Sequence, residues 1–359
     1  MKEIDLPYRT LYAELLQRSI DGAFLHDFEA ANGNFVPVTV KGRRYWYFDA
    51  KTAEGSRRRY VGPADDPEID KRVVAFRSIK NDFTGRRRLV STLLREAGLA
   101  APEAFTGDVI EALALAGIFR LRAVLVGTVA YQTYSALLGV RLPAAAMQTG
   151  DADFAQFHAL SAAVADSVPP MLDVLRSVDT SFREVPHQLD GRQSSRFETA
   201  NRFQVEFLTP NTGSDDNQGR PSPMPALGGA SAEPLRFLDF LIHEPLWAIL
   251  LHKGGIPALV PAPERFLVHK LVVATRRRPE DGKSSKDIAQ AGNLLEALVL
   301  TRRGADVASA YSEAWNRGPA WREALLRGVA MLPEPKQLLL WQTLAKGLPE
   351  LGLNPADYR

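Results

Sequence analysis

The stretch that most constrains this chain runs from Arg122 to Phe154, RAVLVGTVAYQTYSALLGVRLPAAAMQTGDADF. Its short apolar run, Ala123 to Val126, predicts a buried strand. Gly127 and Thr128 turn the chain into a helical segment, Val129 to Leu138, which Gly139 stops. After a loop, Asp151-Ala152-Asp153 opens an alternating polar and apolar run that predicts a second strand. Strand, Gly-Thr turn, helix, then a strand carrying Asp-x-Asp is an arrangement suited to a nucleoside triphosphate and its metals.

The chemistry follows from the spacing. Residues i and i+2 of a strand point to one face, so Asp151 and Asp153 can share an ion. Mg²⁺ takes hard oxygen ligands, commonly one or two carboxylates completed by phosphates and water. A helix opening at Gly127 presents free backbone N–H groups to an anion, glycine permits close approach, and Thr128 adds a hydroxyl. Taken singly, Asp-x-Asp also occurs in plain loops, and Gly-Thr in plain turns.

Composition narrows the class. At 359 residues the chain has length for two or three domains. Lys plus Arg number 44 and Asp plus Glu 42, a net charge of +2 that gives no bulk attraction to nucleic acid. Cysteine is absent, which excludes disulfides, cysteine metal sites and a thiol nucleophile. The opening MKEIDLPYRTLY is too polar for a signal peptide, and no long apolar run predicts a membrane span. A cytoplasmic location is expected.

Three regions are expected: an accessory region over 1–100, a core over 101–245 and a helical region over 246–359. In the first, residues 5–31 and 68–98 carry helical apolar spacing, the latter with an Arg86-Arg87-Arg88 run read as a solvated face. Residues 35–62 alternate and turn at Lys41-Gly42 and Glu54-Gly55, which predicts a small antiparallel sheet. Arg43, Arg44, Arg57, Arg58 and Arg59 lie there among aromatics, a pattern that suits RNA contact or simply a basic outer face. Beyond the central stretch, residues 156–178 read as an amphipathic helix with Pro169-Pro170 as a kink. Residues 211–234, rich in Gly, Pro and Ser, read as a long loop.

A third carboxylate has two candidates. Glu206 sits in the apolar strand Phe203 to Leu208, where a buried carboxylate needs a partner or a metal. It could also take a proton from an attacking hydroxyl. Asp239 interrupts Leu235 to Ile242, but His243-Glu244-Pro245 marks a surface turn directly after it, so Glu206 ranks first. Lys270 lies among apolar residues of a helix near Pro263, its stem suited to burial with the ammonium aimed at a cleft. Arg276 to Arg278 suit the negative end of that helix.

With Gly127-Thr128, Asp151-x-Asp153 and Val205-Glu206-Phe207-Leu208-Thr209-Pro210 in view, the chain resembles the DNA polymerase β-like nucleotidyltransferase superfamily, in a bacterial branch. Val260 to Phe266, His269-Lys270-Leu271, Lys286-Asp287-Ile288 and the hairpin around Gly42 to Tyr47 extend the likeness. The resemblance implies an α+β fold, a small mixed sheet of polymerase β palm type flanked by helices. It implies two Mg²⁺ or Mn²⁺ ions held by Asp151, Asp153 and Glu206, with Glu206 helping to activate the acceptor hydroxyl. It implies NTP phosphates held by Gly127, Thr128 and Lys270, and transfer of a nucleoside monophosphate with release of pyrophosphate. The acceptor classes implied are RNA such as tRNA, protein or a small molecule, and some relatives are toxins under a regulatory partner protein. The other expectation is an inactive nucleotide-binding or nucleic-acid-binding module of the same fold. Two departures stand out: Gly-Thr replaces the usual Gly-Ser, and Glu replaces the commoner third Asp.

Overall fold

The computed structural model describes residues 1–28, 33–52, 55–76, 82–143, 149–187, 193–211, 220–277 and 282–359. Asn32, Glu54, Arg278 and residues 212–219 of the expected loop lie outside these, as does the Arg57 side chain.

The central sheet is mixed. Its strands Ser222–Pro223, Ser231–Leu235, Gln204–Pro210, Asp151–Ala155 and Val124–Val126 lie side by side in that order. Arg196–Glu198 pairs antiparallel with the first half of Gln204–Pro210 and carries Arg183–Val185 on its own edge. Asp151–Ala155 runs parallel to Gln204–Pro210 and antiparallel to Val124–Val126. Along the first two strands burial alternates. Ala152, Phe154, Val205 and Phe207 are buried, with Phe154 stacked on Phe207 at 5.8 Å between ring centroids. Asp151, Asp153 and Glu206 therefore face the other way, as the two-residue period of a strand requires.

Helices cover that other face. Gly127–Leu138 leaves the sheet directly from Val126, and Pro263–Ala274 and Lys283–Leu300 pack against each other beside it. The remaining C-terminal helices, Gly304–Asn316, Pro319–Ala330 and Glu334–Glu350, extend the same apolar core.

Several boundaries differ from the sequence reading. The helix expected over 156–178 is two short ones, His158–Ala163 and Met171–Arg176: the chain leaves helical geometry at Ala165, with φ of 49°, and Pro169-Pro170 stand just before the second helix, where no amide donor is needed. Part of the expected loop over 211–234 is strand: Ser231–Leu235 adds parallel to Leu208, Thr209 and Pro210. The region after 245 begins not with a helix but with an antiparallel hairpin, Leu246–Leu250 against Ile256–Val260. The second of those strands is wholly buried, so its run of apolar residues carries no alternation to mark it.

The N-terminal helix Leu6–Phe28 packs on a three-stranded sheet of Gly33–Val40, Arg43–Thr52 and Gly55–Pro63. Phe24, Phe28, Phe35, Phe48 and Phe76 form the aromatic layer between them. The sheet is fastened to the core by one charged clamp. Arg120 binds Asp166 at 2.5 Å and the Tyr60 carbonyl at 2.7 Å, while Asp166 accepts from the Tyr60 amide at 2.9 Å. The Arg120 and Asp166 side chains are 6% and 2% exposed, so neither charge has solvent to fall back on.

Asp166→Ala should lower the unfolding free energy by about 3–5 kcal/mol, because it strands a buried guanidinium and an amide. Chemical denaturation reads this directly, and a loss under about 1 kcal/mol would show that the clamp is dispensable.

Candidate active site

The pairing of strands sets the site. Glu206 lies directly opposite Asp153 across the parallel pair, and Val126 lies opposite Asp153 on the other side. Gly127 follows at once with φ of 69°, a left-handed geometry that suits glycine. A Cβ at position 127 would come within 2.6 Å of the Asp153 Oδ2, so the turn and the carboxylate fit only with glycine there. Thr128 begins the helix, and the Gln290 amide reaches its hydroxyl at 3.5 Å.

A cavity of about 290 Å³ opens beside these residues. Val126, Gly127 and Asp153 form one wall, and Phe266, His269, Lys270, Arg276 and Arg277 another. Arg236 and Phe237 form part of the rim, with Arg236 and Arg276 set over the Phe237 ring at 5.7 and 5.0 Å. One side of the cavity thus offers a carboxylate and a helix start, and the other offers four cations.

The electrostatics are uneven. Burial, then Asp151 and Glu206, push the Asp153 carboxyl up to about 7 against the pull of Lys270 and Lys283. Asp151 is nearest Lys283, at 3.9 Å, and accepts from the Thr149 hydroxyl. Glu206 pairs with Arg196, its register neighbour on the antiparallel strand. Asp151, Asp153 and Glu206 share one sheet face, and oxygen donors of this kind are those a hard divalent ion takes, although their oxygens do not all lie within 4.8 Å of one another. Burial and Lys270 push the His269 imidazole down to about 3, which leaves it neutral at physiological pH.

Lys270 is buried and lines the cavity, but its ammonium is paired with Asp287, itself 3% exposed. Arg277 binds the second oxygen of Asp287 at 3.2 Å. Asp287 thus fixes two cations at the cavity wall. Asp239 is elsewhere: it pairs with Arg317 on the outer side of the short helix Leu238–Leu241. The arginines read for RNA contact are partly committed. Arg58 makes a bidentate pair with Asp49 at 2.6 and 2.8 Å, and Arg59 bonds to the Asp27 carbonyl. Arg43 and Arg44 are exposed at the hairpin end.

Sequence reasoning passed over Arg236, Phe237 and Lys283, quoted His269 only within the family likeness, and read Arg276 and Arg277 only as complements to a helix dipole. An Arg-Phe or Arg-Arg pair carries no local signal for a cavity, since the cavity exists only once distant segments meet. Among the described residues, one group of three potential ligands lies within 4.8 Å of one another, Asp108, Glu111 and His252. There the Lys253 ammonium already binds Asp108 at 2.7 Å and Glu111 at 2.5 Å, so the negative charge is spoken for.

Because the folded Asp153 keeps its proton to a higher pH than the unfolded chain, its contribution to stability declines as pH rises from about 4 to about 7. In chelator-treated buffer, Asp153→Asn should therefore unfold at higher urea than the unsubstituted protein at about pH 8, with the gap closing towards about pH 4. A gap that stays constant with pH would assign the stabilisation to something other than this carboxyl.

Comparison with known proteins bears on the family. Searches of curated proteins and of solved structures found no match. A family model described as "Nucleotidyltransferase" matches residues 104–316, more than half of the chain, and spans Gly127, Asp151, Asp153, Glu206 and Lys270. The chain belongs to that nucleotidyltransferase family.

Proposed function

We propose that the protein transfers a nucleoside monophosphate from an NTP to an acceptor hydroxyl, using a site built on Asp151, Asp153 and Glu206. The observation that carries this reading is the register of Asp153 against Glu206 and Val126, beside the Gly127 helix start. Asp153 lines the cavity beside that helix start, and Asp151 and Glu206 share its sheet face, which supports the reading.

The parts divide the work by charge. The Gly127–Leu138 helix start and the Thr128 hydroxyl hold phosphate oxygens. Lys270 and Arg277, oriented by Asp287, and Arg236 and Arg276, steadied on Phe237, supply positive charge to the triphosphate. Asp151, Asp153 and Glu206 would hold Mg²⁺ or Mn²⁺, which on binding supplies charge neutralisation at the phosphates and at the attacking oxygen. The acceptor oxygen forms a bond to the α-phosphorus, the bond to the bridging oxygen breaks, and pyrophosphate leaves. Glu206 takes the hydroxyl proton once Arg196 yields it. RNA is one acceptor class, reached from Arg43 and Arg44 at the hairpin end; the test below also reads protein and small molecules.

One observation favours a second reading, an inactive nucleotide-binding module. Arg196 already occupies Glu206, and Lys283 stands beside Asp151. A binding module needs only the cationic wall.

The test is incubation with each α-³²P-labelled NTP, Mg²⁺ or Mn²⁺, and cellular RNA and protein. Label on an acceptor, absent in the Asp151→Asn/Asp153→Asn double variant, is expected. Residual transfer in that variant should fall below about one per cent, since it removes charge from the reaction centre itself. Full transfer in the double variant would refute the site, and nucleotide binding without transfer would favour the second reading. Glu206→Gln should lower kcat while nucleotide affinity stays within about threefold, the mark of a group acting at the hydroxyl. Equal loss of both would make Glu206 a binding residue.

A further inference from the structure

A second cavity, of about 310 Å³, lies at the other end of the Val124–Val126 strand, where Phe119 and Arg122 precede it. Its walls come from the helices Leu6–Phe28, Phe83–Arg95 and Ala104–Leu115 and from the hairpin after residue 245. The lining is mainly apolar, with Phe28, Ile69, Phe119, Trp247 and Ile256 among its residues.

Three arginine side chains with little exposure face this chamber, and two are neutralised. Arg72 binds Asp21 at 2.8 Å, and Arg120 binds Asp166 at 2.5 Å. The third, Arg86, is only 8% exposed, and among the described residues no carboxylate pairs with it. Its Nε is buried without a hydrogen-bond partner. The nearest acid on its own helix, Asp82, is taken by Arg18 and by the Gly85 amide. Burial pushes Arg86 below its ordinary value against the weaker pull of Asp82. Gly22 makes room for it, since a Cβ there would sit 3.0 Å from the Arg86 Cζ.

A buried, unpaired guanidinium at the wall of an apolar chamber is costly unless something negative joins it. We propose that this cavity binds an amphiphilic monocarboxylate, its apolar body in the chamber and its carboxylate on the Arg86 guanidinium. One charge is the natural complement, because Arg72 and Arg120 each already have a carboxylate partner, although the Arg120 Nε is also buried without a hydrogen bond, and the half-buried Arg122 keeps access to solvent. The planar fork of arginine matches a carboxylate in two parallel hydrogen bonds. The chamber is walled by different residues from the Asp153 cavity, and the proposal stands independently of nucleotide transfer.

Calorimetric titration of the full chain with decanoate, and with the neutral decanamide, tests this. Saturable one-to-one binding of decanoate is expected, at least tenfold tighter than decanamide. Arg86→Met should weaken decanoate at least tenfold while melting, without ligand, at or above the temperature of the unsubstituted protein. Should Arg86→Met fail to fold, Ala114→Leu fills the chamber and leaves the guanidinium in place, and it should also abolish binding. Absence of saturable decanoate binding, or equal affinity in the unsubstituted protein and whichever variant folds, would overturn the proposal.

Discussion

Everything at the candidate active site depends on one parallel strand pairing. Asp151–Ala155 and Gln204–Pro210 run side by side in a register that sets Asp153 against Glu206. A slip of one residue in Gln204–Pro210 would turn Glu206 into the core and bring Val205 and Phe207 to the polar face. The stacked Phe154 and Phe207 therefore guard the polar face from behind: burying them is what holds the carboxylates out. Hydrophobic packing on one side of the sheet and chemistry on the other are two readings of the same alternation.

The polar face is held together by opposed charges rather than by excess of either sign. Asp287 gathers Lys270 and Arg277, Arg196 restrains Glu206, and Lys283 approaches Asp151. Burial first, and then the like charges of Asp151 and Glu206, push the Asp153 carboxyl up to about 7. In the proposed reaction a triphosphate would meet the cations of this face and its ions the carboxylates.

How much of this was legible beforehand follows the range of the interactions involved. The Val124–Val126 strand, the Gly127 turn and the Asp-x-Asp strand are local patterns, and they occur where the sequence reading expected them. The kink at Pro169-Pro170 was also visible, though the two prolines stand before the second of two helices instead of bending one. The Ser231–Leu235 strand was hidden by Gly and Pro neighbours, and Ile256–Val260 by being apolar throughout. The cationic wall was hidden for a different reason. Lys270 and Asp287 lie 17 positions apart and meet only because two helices pack, and Arg236 joins from the end of a strand. Arg86 is the clearest case: a run of three arginines reads as a solvated face, yet its first member is buried.

The clamp of Arg120, Asp166 and the Tyr60 backbone has a consequence for how the molecule comes apart. Tyr60 sits in the last strand of the N-terminal sheet, and both its amide and its carbonyl are spent on side chains of the core. Peeling that sheet away would separate a buried ion pair and strand both Tyr60 backbone groups, so opening there carries a cost beyond lost apolar contact. The clamp thus couples opening of the N-terminal layer to the core, and the Tyr60 amide, bonded to Asp166, is expected to be among the best protected of that sheet.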